Sequence, residues 1–584
     1  MTSRAAAFAA LCGLAACSGS PPPSAPAAGA LPDAGVPAGA PAITAFDPDV
    51  PAWRGGCFFA GPAGKIVNGS PSPDVRTFGR ACDGSGGQGG LVYLDRYDPV
   101  AGTGDVTVLL SSAGARPVVV GARGGAGGTI PGSTGARLND DATLLLTLSE
   151  VASVSGTLQL VTLFPEPSAR AVADRVRVEN YDFLPGDAAL FVGNYDADRR
   201  VGDLYYLPPG GAPQTIAVGA ARVEFILYRP SPDRRRVAYL RARADGSLAL
   251  EVSALPPAAA PTVVDVGVAQ LAWTSDGARL VYVVASADGL TGDLAAWEVA
   301  TGAKTVLARG VNAATVVGND VVYAQGSTVL SPAATLHVAA AAGGADAFSA
   351  PAASLAFEGA VSAARSRVVA FAALPDVADP FSGDLFLEVG GAAALVDRGI
   401  APAAGYQFSP SASFVAYAKG FARPQASGNP GAPPGIARER AVASPSGARF
   451  TLAADASFER VAWAPDEAFV AAIGAFDPAR SSGALVVKRA PDGADAAPAP
   501  LAEGVSARWF GFTDDGATLA AIRGWDAGRE LGELVLLPTA GAAAWTAVPL
   551  AGGAGLGATS FVTANGRVLY GVRGGGRDGL WLAP

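Results

Sequence analysis

A turn motif returns along this chain at a nearly constant spacing, and that periodicity restricts the possible folds more than any other feature. An aromatic residue or Leu precedes a small polar or Pro pair, then comes a turn residue of Asp type, then a β-rich run. The clearest copy is Trp273-Thr-Ser-Asp276-Gly-Ala-Arg-Leu-Val-Tyr282. Further copies start at Phe408, Trp463 and Phe512, with looser versions at Leu138, Phe183 and Tyr228. Turn positions 141, 186, 233 and 276 are spaced by 45, 47 and 43 residues. Position 411 lies 135 residues beyond 276, three periods of 45, which predicts two weakened copies in between. Both are present. Gly318-Asn319-Asp320 precedes Val321-Val322-Tyr323, and Arg365-Ser366-Arg367 precedes Val368-Val369-Ala370-Phe371. A fixed period of this length means one supersecondary unit stacked on copies of itself.

A second signature follows each first one. A polar loop leads to Gly, a small or acidic residue and another apolar run, as in Gly104-Asp105, Gly202-Asp203, Gly292-Asp293, Gly383-Asp384, Gly483-Ala484 and Gly532-Glu533. A fourth β-rich run, such as Lys304-Thr-Val-Leu307, precedes many of the next turns. Four short strands per period, with no helical periodicity, describe a β-propeller blade. The chain therefore reads as all-β, with ten to eleven four-stranded units. Most single propellers carry four to eight blades, so the count predicts two tandem propellers divided within the Ala-rich stretch 310–350, with one large ring as the alternative. The corresponding segments are 1–17, 18–42, 43–310 and 311–584. The last unit shows only three strands, ending at Trp581, and a strand from the N-terminal region at Ile43 to Phe46 is expected to complete it.

The first signature resembles the repeat of TolB-type, WD-repeat-like propellers, over most of residues 78–584. The copies at Asp320, Ser366 and Ser411 depart from it by losing the Asp, the Gly or the aromatic. That resemblance implies a periplasmic protein or the non-catalytic half of a prolyl-oligopeptidase-type peptidase.

The N-terminus supplies an address. Arg4, the small apolar run Ala5 to Leu14, and then Leu14-Ala15-Ala16-Cys17 form a signal segment. The tetrapeptide resembles the lipobox of bacterial lipoproteins, which implies cleavage before Cys17 and a diacylglycerol on its sulfur. Residues 18–42 are a Pro/Ala/Gly tether with nothing to bury, able to hold the body up to ~70 Å from a membrane if polyproline-like. Acyl chains on Cys17 would make the membrane contact stable. Ser18 beside Cys17 favours the outer membrane under the enterobacterial sorting pattern. Of the four cysteines, Cys12 and Cys17 belong to the signal. Cys57 and Cys82 remain as a pair in an oxidising setting, where a structural disulfide is expected.

Several chemistries are restricted by composition. The net charge of −9 argues against a nucleic-acid partner, because phosphate binding needs clustered cations. The single histidine, His337, is the one residue on which a Ser-His-Asp triad could be built, and no Gly-x-Ser-x-Gly elbow occurs. It falls in Thr335-Leu-His-Val338, a candidate third strand, so a structural role is expected. Asn194-Tyr-Asp196-Ala-Asp198-Arg-Arg-Val-Gly-Asp203 gathers three carboxylates but lacks the distal Glu of an EF-hand, and it reads as solvated loop acids. Gly124–Gly128 lacks the Lys-Ser/Thr of a phosphate loop. Arg234-Arg-Arg236 reads as a turn, and the repeated aromatics as packing between blades.

No catalytic residue, metal site or cofactor is expected on these grounds. The expectation is a non-catalytic envelope lipoprotein that presents a propeller platform to an envelope protein or polymer. Its rival is a carbohydrate-binding or carbohydrate-active propeller using loop carboxylates. Fold alone does not choose between them.

Overall fold

The structure, a computed structural model, describes residues 64–68, 79–82, 89–98 and, with short intervening stretches left aside, 103–582. Among the described residues the strands form eleven antiparallel four-stranded blades of the propeller type. Blades 1 to 4 occupy 79–124, 136–177, 181–221 and 228–266. Blades 5 to 8 occupy 268–308, 313–353, 357–400 and 406–457. Blades 9 and 10 occupy 462–506 and 510–551, and blade 11 combines 557–582 with 64–68. The chain divides into two compact units. Among the described residues, one holds 221–479 and 483–500, and the other 64–220, 480–482 and 501–582.

The expected cut between 310 and 311 falls inside one continuous strand, Lys304–Val317. Lys304 to Val311 pair with residues 292–297, and Val311 to Val317 pair with Asp320–Gln325, so Val311 has a partner on each side. This strand ends blade 5 and begins blade 6, bending at Gly310, whose φ is 64°. Gly318-Asn319 then makes a two-residue turn, with Gly318 at φ 65°, so the predicted hidden copy at Asp320 is a hairpin.

Blade 11 corrects one expectation. Its fourth strand does come from the N-terminal region, as Gly64–Asn68, while Ile43 to Phe46 lie outside the described residues. Gly64 pairs with Leu582, Lys65 with Trp581 and Asn68 with Gly579. The run Gly-Lys-Ile-Val-Asn is short and lies among Gly and Pro, which hides its β character.

The turn motif has a specific hydrogen-bond structure. In blade 5, Thr274 Oγ1 donates to Asp276 Oδ1 at 2.7 Å, and Ala278 N donates to the same oxygen at 2.9 Å. Arg279 N donates to Thr274 Oγ1 at 3.0 Å, while Thr274 N donates to Arg279 O at 3.0 Å. Blade 10 repeats this at Thr513, Asp515 and Thr518, and blade 4 at Ser231, Asp233 and Arg236. Side-chain oxygens thus replace the backbone partners that a tight turn leaves unmet. The buried hydroxyl two residues before the Asp matters as much as the Asp itself. Neighbouring turns are also laced together: Asn139 donates to Asp187 at 2.8 Å, Ser275 to Asn319 at 3.0 Å, and Ser411 to Glu467 at 2.7 Å.

The glycine of the second signature is explained by close approach. A Cβ on Gly292 would lie 2.4 Å from Val283 Cγ1 and 2.7 Å from Val284 O. On Gly532 it would lie 2.4 Å from Ile522 Cγ2. The acidic residue that follows holds the fourth strand: Asp105 accepts from Arg123 N at 2.8 Å and Asp203 from Gly219 N at 3.1 Å.

The cores lie between consecutive blades. Blades 4 and 5 bury Leu240, Leu250, Val252, Leu280, Tyr282 and Trp297 in one cluster, with Trp273 packed against it. Blades 2 and 3 do the same around Leu146, Leu158, Phe183 and Phe191. Each such side chain contributes about 1.5–3 kcal/mol when buried, and half of each cluster comes from the neighbouring blade. A single blade therefore lacks a core of its own.

Candidate functional site

A tyrosine of the second strand recurs beside a carboxylate in four blades. Tyr239, Tyr282 and Tyr323 are each the fourth residue of their strands, Arg236–Ala242, Arg279–Ala285 and Asp320–Gln325. Tyr417 lies in the second strand of blade 8. Each faces a carboxylate that also meets a cation or an imidazole. In blade 4, Tyr239 OH donates to Glu251 Oε2 at 3.0 Å and Arg241 Nε to Oε1 at 2.7 Å. In blade 8, Tyr417 OH donates to Asp397 Oδ2 at 2.8 Å and Lys419 Nζ to Oδ1 at 2.9 Å, with Arg449 also on Oδ1. In blade 5 Tyr282 faces Asp265, which Lys304 holds; the hydroxyl itself makes no hydrogen bond of standard geometry.

His337 fits the same series. It lies in the third strand of blade 6, Ala333–Ala340, with Nδ1 2.8 Å from Asp346 Oδ2. Tyr323 OH donates to the other oxygen of Asp346 at 3.1 Å, and its ring stacks on the imidazole at 4.9 Å. Burial, reinforced by Asp346, pushes the Tyr323 hydroxyl up to about 12. His337 meets its carboxylate as Arg241, Lys304 and Lys419 meet theirs, but it does so from the third strand, directly opposite Tyr323. The Tyr was visible in the sequence at Tyr282 and Tyr323; the carboxylate partners were not, since they come from the third strand, a loop or the preceding blade.

The other residues singled out from sequence are placed as follows. Cys17 and Cys57 lie outside the described residues, and Cys82 ends the strand Gly79–Cys82, paired with Gly89. In the acidic loop, Asp196 Oδ1 accepts from Asp198 N and Arg199 N, both at 3.0 Å, while Asp203 accepts from Asn194 Nδ2 at 2.9 Å. These acids serve separate turns, and no group of three or more His, Cys, Asp or Glu is gathered for a metal among the described residues. Arg234 and Arg235 sit in the turn that Asp233 closes. No helix among the described residues is long and apolar enough to cross a membrane.

One cleft stands apart from these networks. Between blades 7 and 8, a space of about 500 Å³ is lined by the hydroxyl-bearing Ser362, Ser413, Ser444 and Ser446 and by the apolar Phe414 and Pro445. Its described lining carries no ionisable side chain. Turn residues build it: Ser413 and Phe414 close the first turn of blade 8, where Phe414 N donates to Ser409 Oγ at 3.1 Å. Ser444 and Ser446 belong to the hairpin before Arg449–Ser457, their hydroxyls 2.7 Å apart. Phe414 is steadied from behind by Trp463, stacked at 6.0 Å. Such a cleft suits an uncharged ligand that brings both hydrogen-bonding and apolar groups.

No family model matches the chain, and no curated protein matches it. Solved structures with similar folds include a eukaryotic initiation factor, at 13% identity and a TM-score of 0.40, covering 68% of this chain and 93% of that one. TolB from Acinetobacter baumannii is similar at 13% identity and a TM-score of 0.24, covering 52% of this chain and 77% of its own. A puromycin hydrolase is similar at 16% identity and a TM-score of 0.27, covering 63% and 62%. Likenesses at this level carry no functional argument.

Proposed function

We propose that this protein is a binding platform of the bacterial cell envelope, held to a membrane by lipid on Cys17 and carrying its propeller body on the tether 18–42. The observation behind the binding role is the cleft between blades 7 and 8. Beside it Asp397 is taken up by Tyr417 and Lys419, whereas the cleft presents serine hydroxyls beside Phe414 and Pro445, with no ionisable side chain in its described lining. Its uncharged lining fits an extended peptide segment of an envelope protein or an uncharged stretch of an envelope polymer. Cys57 and Cys82 would close the N-terminal stretch as a disulfide, stabilising it by about 3 kcal/mol in the chain-entropy model.

The experiment is crosslinking of the purified body, residues 43–584, to envelope extract, with Ser444→Arg as the blocked variant. A partner captured by the native body and lost in Ser444→Arg supports the reading. Equal capture by both proteins would remove the cleft from it, and no capture by the native body would remove the platform.

The cleft's hydroxyls beside an aromatic ring also suit a neutral glycan, the basis of a second reading as a carbohydrate-binding propeller. Binding on a glycan array that Phe414→Ala abolishes would favour that reading over a protein partner.

A further inference from the structure

Arg440 is the largest fully buried side chain among the described residues. It lies in the third strand of blade 8, Ile436–Ala443, and its exposure is 0%. Its Nε, Nη1 and Nη2 make no hydrogen bond. Strand alternation puts it on the same face as Val442, which packs in the seam with blade 9. Its cross-strand partners are both small, Ala418 and Ala453. On the facing blade, Gly474 approaches so closely that a Cβ there would lie 3.2 Å from that of Ala453.

A second donor is orphaned at the same seam. Trp273 Nε1 donates to Arg229 O of the preceding blade at 3.0 Å, but the equivalent Trp463 Nε1, packed against the blade 8–9 cluster, is buried without a partner. The closed seam therefore leaves strong donors unmet, one of them charged, which is among the most costly arrangements a fold can hold. Burial lowers Arg440 to about 10, so it remains a cation at neutral pH. The seam is also weakly sealed. Five of its nine core residues are Ala, namely Ala416, Ala453, Ala456, Ala472 and Ala490, against the Leu, Tyr and Trp of the blade 4–5 seam. The fully buried side chains at its centre are therefore mostly small, with the larger Phe414, Phe450 and Trp463 only partly buried at its margin.

We propose that the seam between blades 8 and 9 is an oxyanion site, opening to admit a group that presents two oxygens to the planar fork of Arg440. Guanidinium geometry favours phosphate or carboxylate over a halide, because two parallel N–H donors meet two oxygens. The site is independent of the cleft between blades 7 and 8.

The test is thermal unfolding at neutral pH in inorganic phosphate, in acetate and in chloride at equal ionic strength, with hydrogen exchange of the same samples. Phosphate or acetate is expected to raise the transition by a few degrees relative to chloride. The same anion should slow exchange in Ile436–Ala443 and Phe469–Asp477. A response to phosphate alone assigns the site to phosphoryl groups, and a response to acetate alone to carboxylates. Arg440→Met replaces an unpaired buried charge with an apolar side chain, so it should fold and lose the anion response. Arg440→Lys keeps the charge without the fork and should move the midpoint of the anion titration up by about tenfold. An equal response in Arg440→Met, or no response of the native protein to either anion, would overturn the proposal.

Discussion

Tyr417 reaches from the second strand of blade 8 to Asp397 at the end of blade 7, and its hydroxyl donates to Oδ2 at 2.8 Å. Asp397 is 4% exposed and also meets Lys419 and Arg449. One carboxylate thus joins two blades through three donors. Tyr417→Phe removes one of them and is expected to cost about 1–2 kcal/mol. Asp397→Ala leaves the buried Tyr417 hydroxyl and two part-exposed cations without their acceptor and should cost more, about 2–3 kcal/mol. Urea unfolding of the two variants beside the native protein measures both. Equal midpoints for all three would contradict the assignment.

His337 should behave as a structural group. His337→Ala removes the imidazole from Asp346 and is expected to lower stability by about 0.5–1.5 kcal/mol. His337→Lys should recover part of that loss, because lysines hold the corresponding carboxylates in blades 5 and 8. Partner capture by the body should be the same for both variants. A loss of capture in His337→Lys with stability intact would instead assign His337 to binding.

The turn aspartates predict a response to acid. The hydrogen bond from Ser231 holds the Asp233 carboxyl below its usual range, and that from Thr513 does the same for Asp515. A carboxyl whose folded value is depressed contributes stability above the unfolded value, about 3.9. That contribution is lost as pH falls through the folded value. The native transition temperature should therefore decline as pH is lowered below about 4. Thr513→Val should be less stable than the native protein near neutrality and should converge towards it in acid, once Asp515 is protonated. A constant difference across the whole range would show that the hydroxyl acts through Thr518 and not through Asp515.

Gly292 is excluded from substitution by space and not by backbone angle. Gly292→Ala would place a methyl 2.4 Å from Val283 Cγ1 and should cost about 1–3 kcal/mol through overpacking. Calorimetry on this variant and on Gly532→Ala, which meets Ile522 at the same distance, tests the rule in two blades.

Removal of residues 1–42 should leave the unfolding transition unchanged, whereas removal of residues 1–70 should lower it and promote aggregation. The second truncation deletes Gly64–Asn68 and leaves Gly579–Leu582 as an unpaired edge. Light scattering during thermal unfolding distinguishes the two. Identical behaviour would mean that the terminal strand contributes nothing to blade 11.

The repeating unit was legible in the sequence because its signals are local. A Ser or Thr two residues before an Asp, and a Gly opening the third strand, each solve a problem posed by residues within a few positions, so they recur with the period. The Asp320 hairpin was locatable from spacing alone for the same reason. The strand that completes blade 11 was anticipated but misplaced, since pairing with Gly579–Leu582 spans nearly the whole chain and imposes only a short β-compatible run.

What the sequence determined by itself is therefore the all-β blade, its period and its turns. Only the tertiary structure decided which carboxylate each tyrosine meets, where a cleft opens between blades 7 and 8, and that Arg440 is buried without a partner. The physical reason is that burial and pairing of charge depend on what the neighbouring blade presents. Ala418 and Ala453 look like ordinary small residues until the register sets them on either side of Arg440.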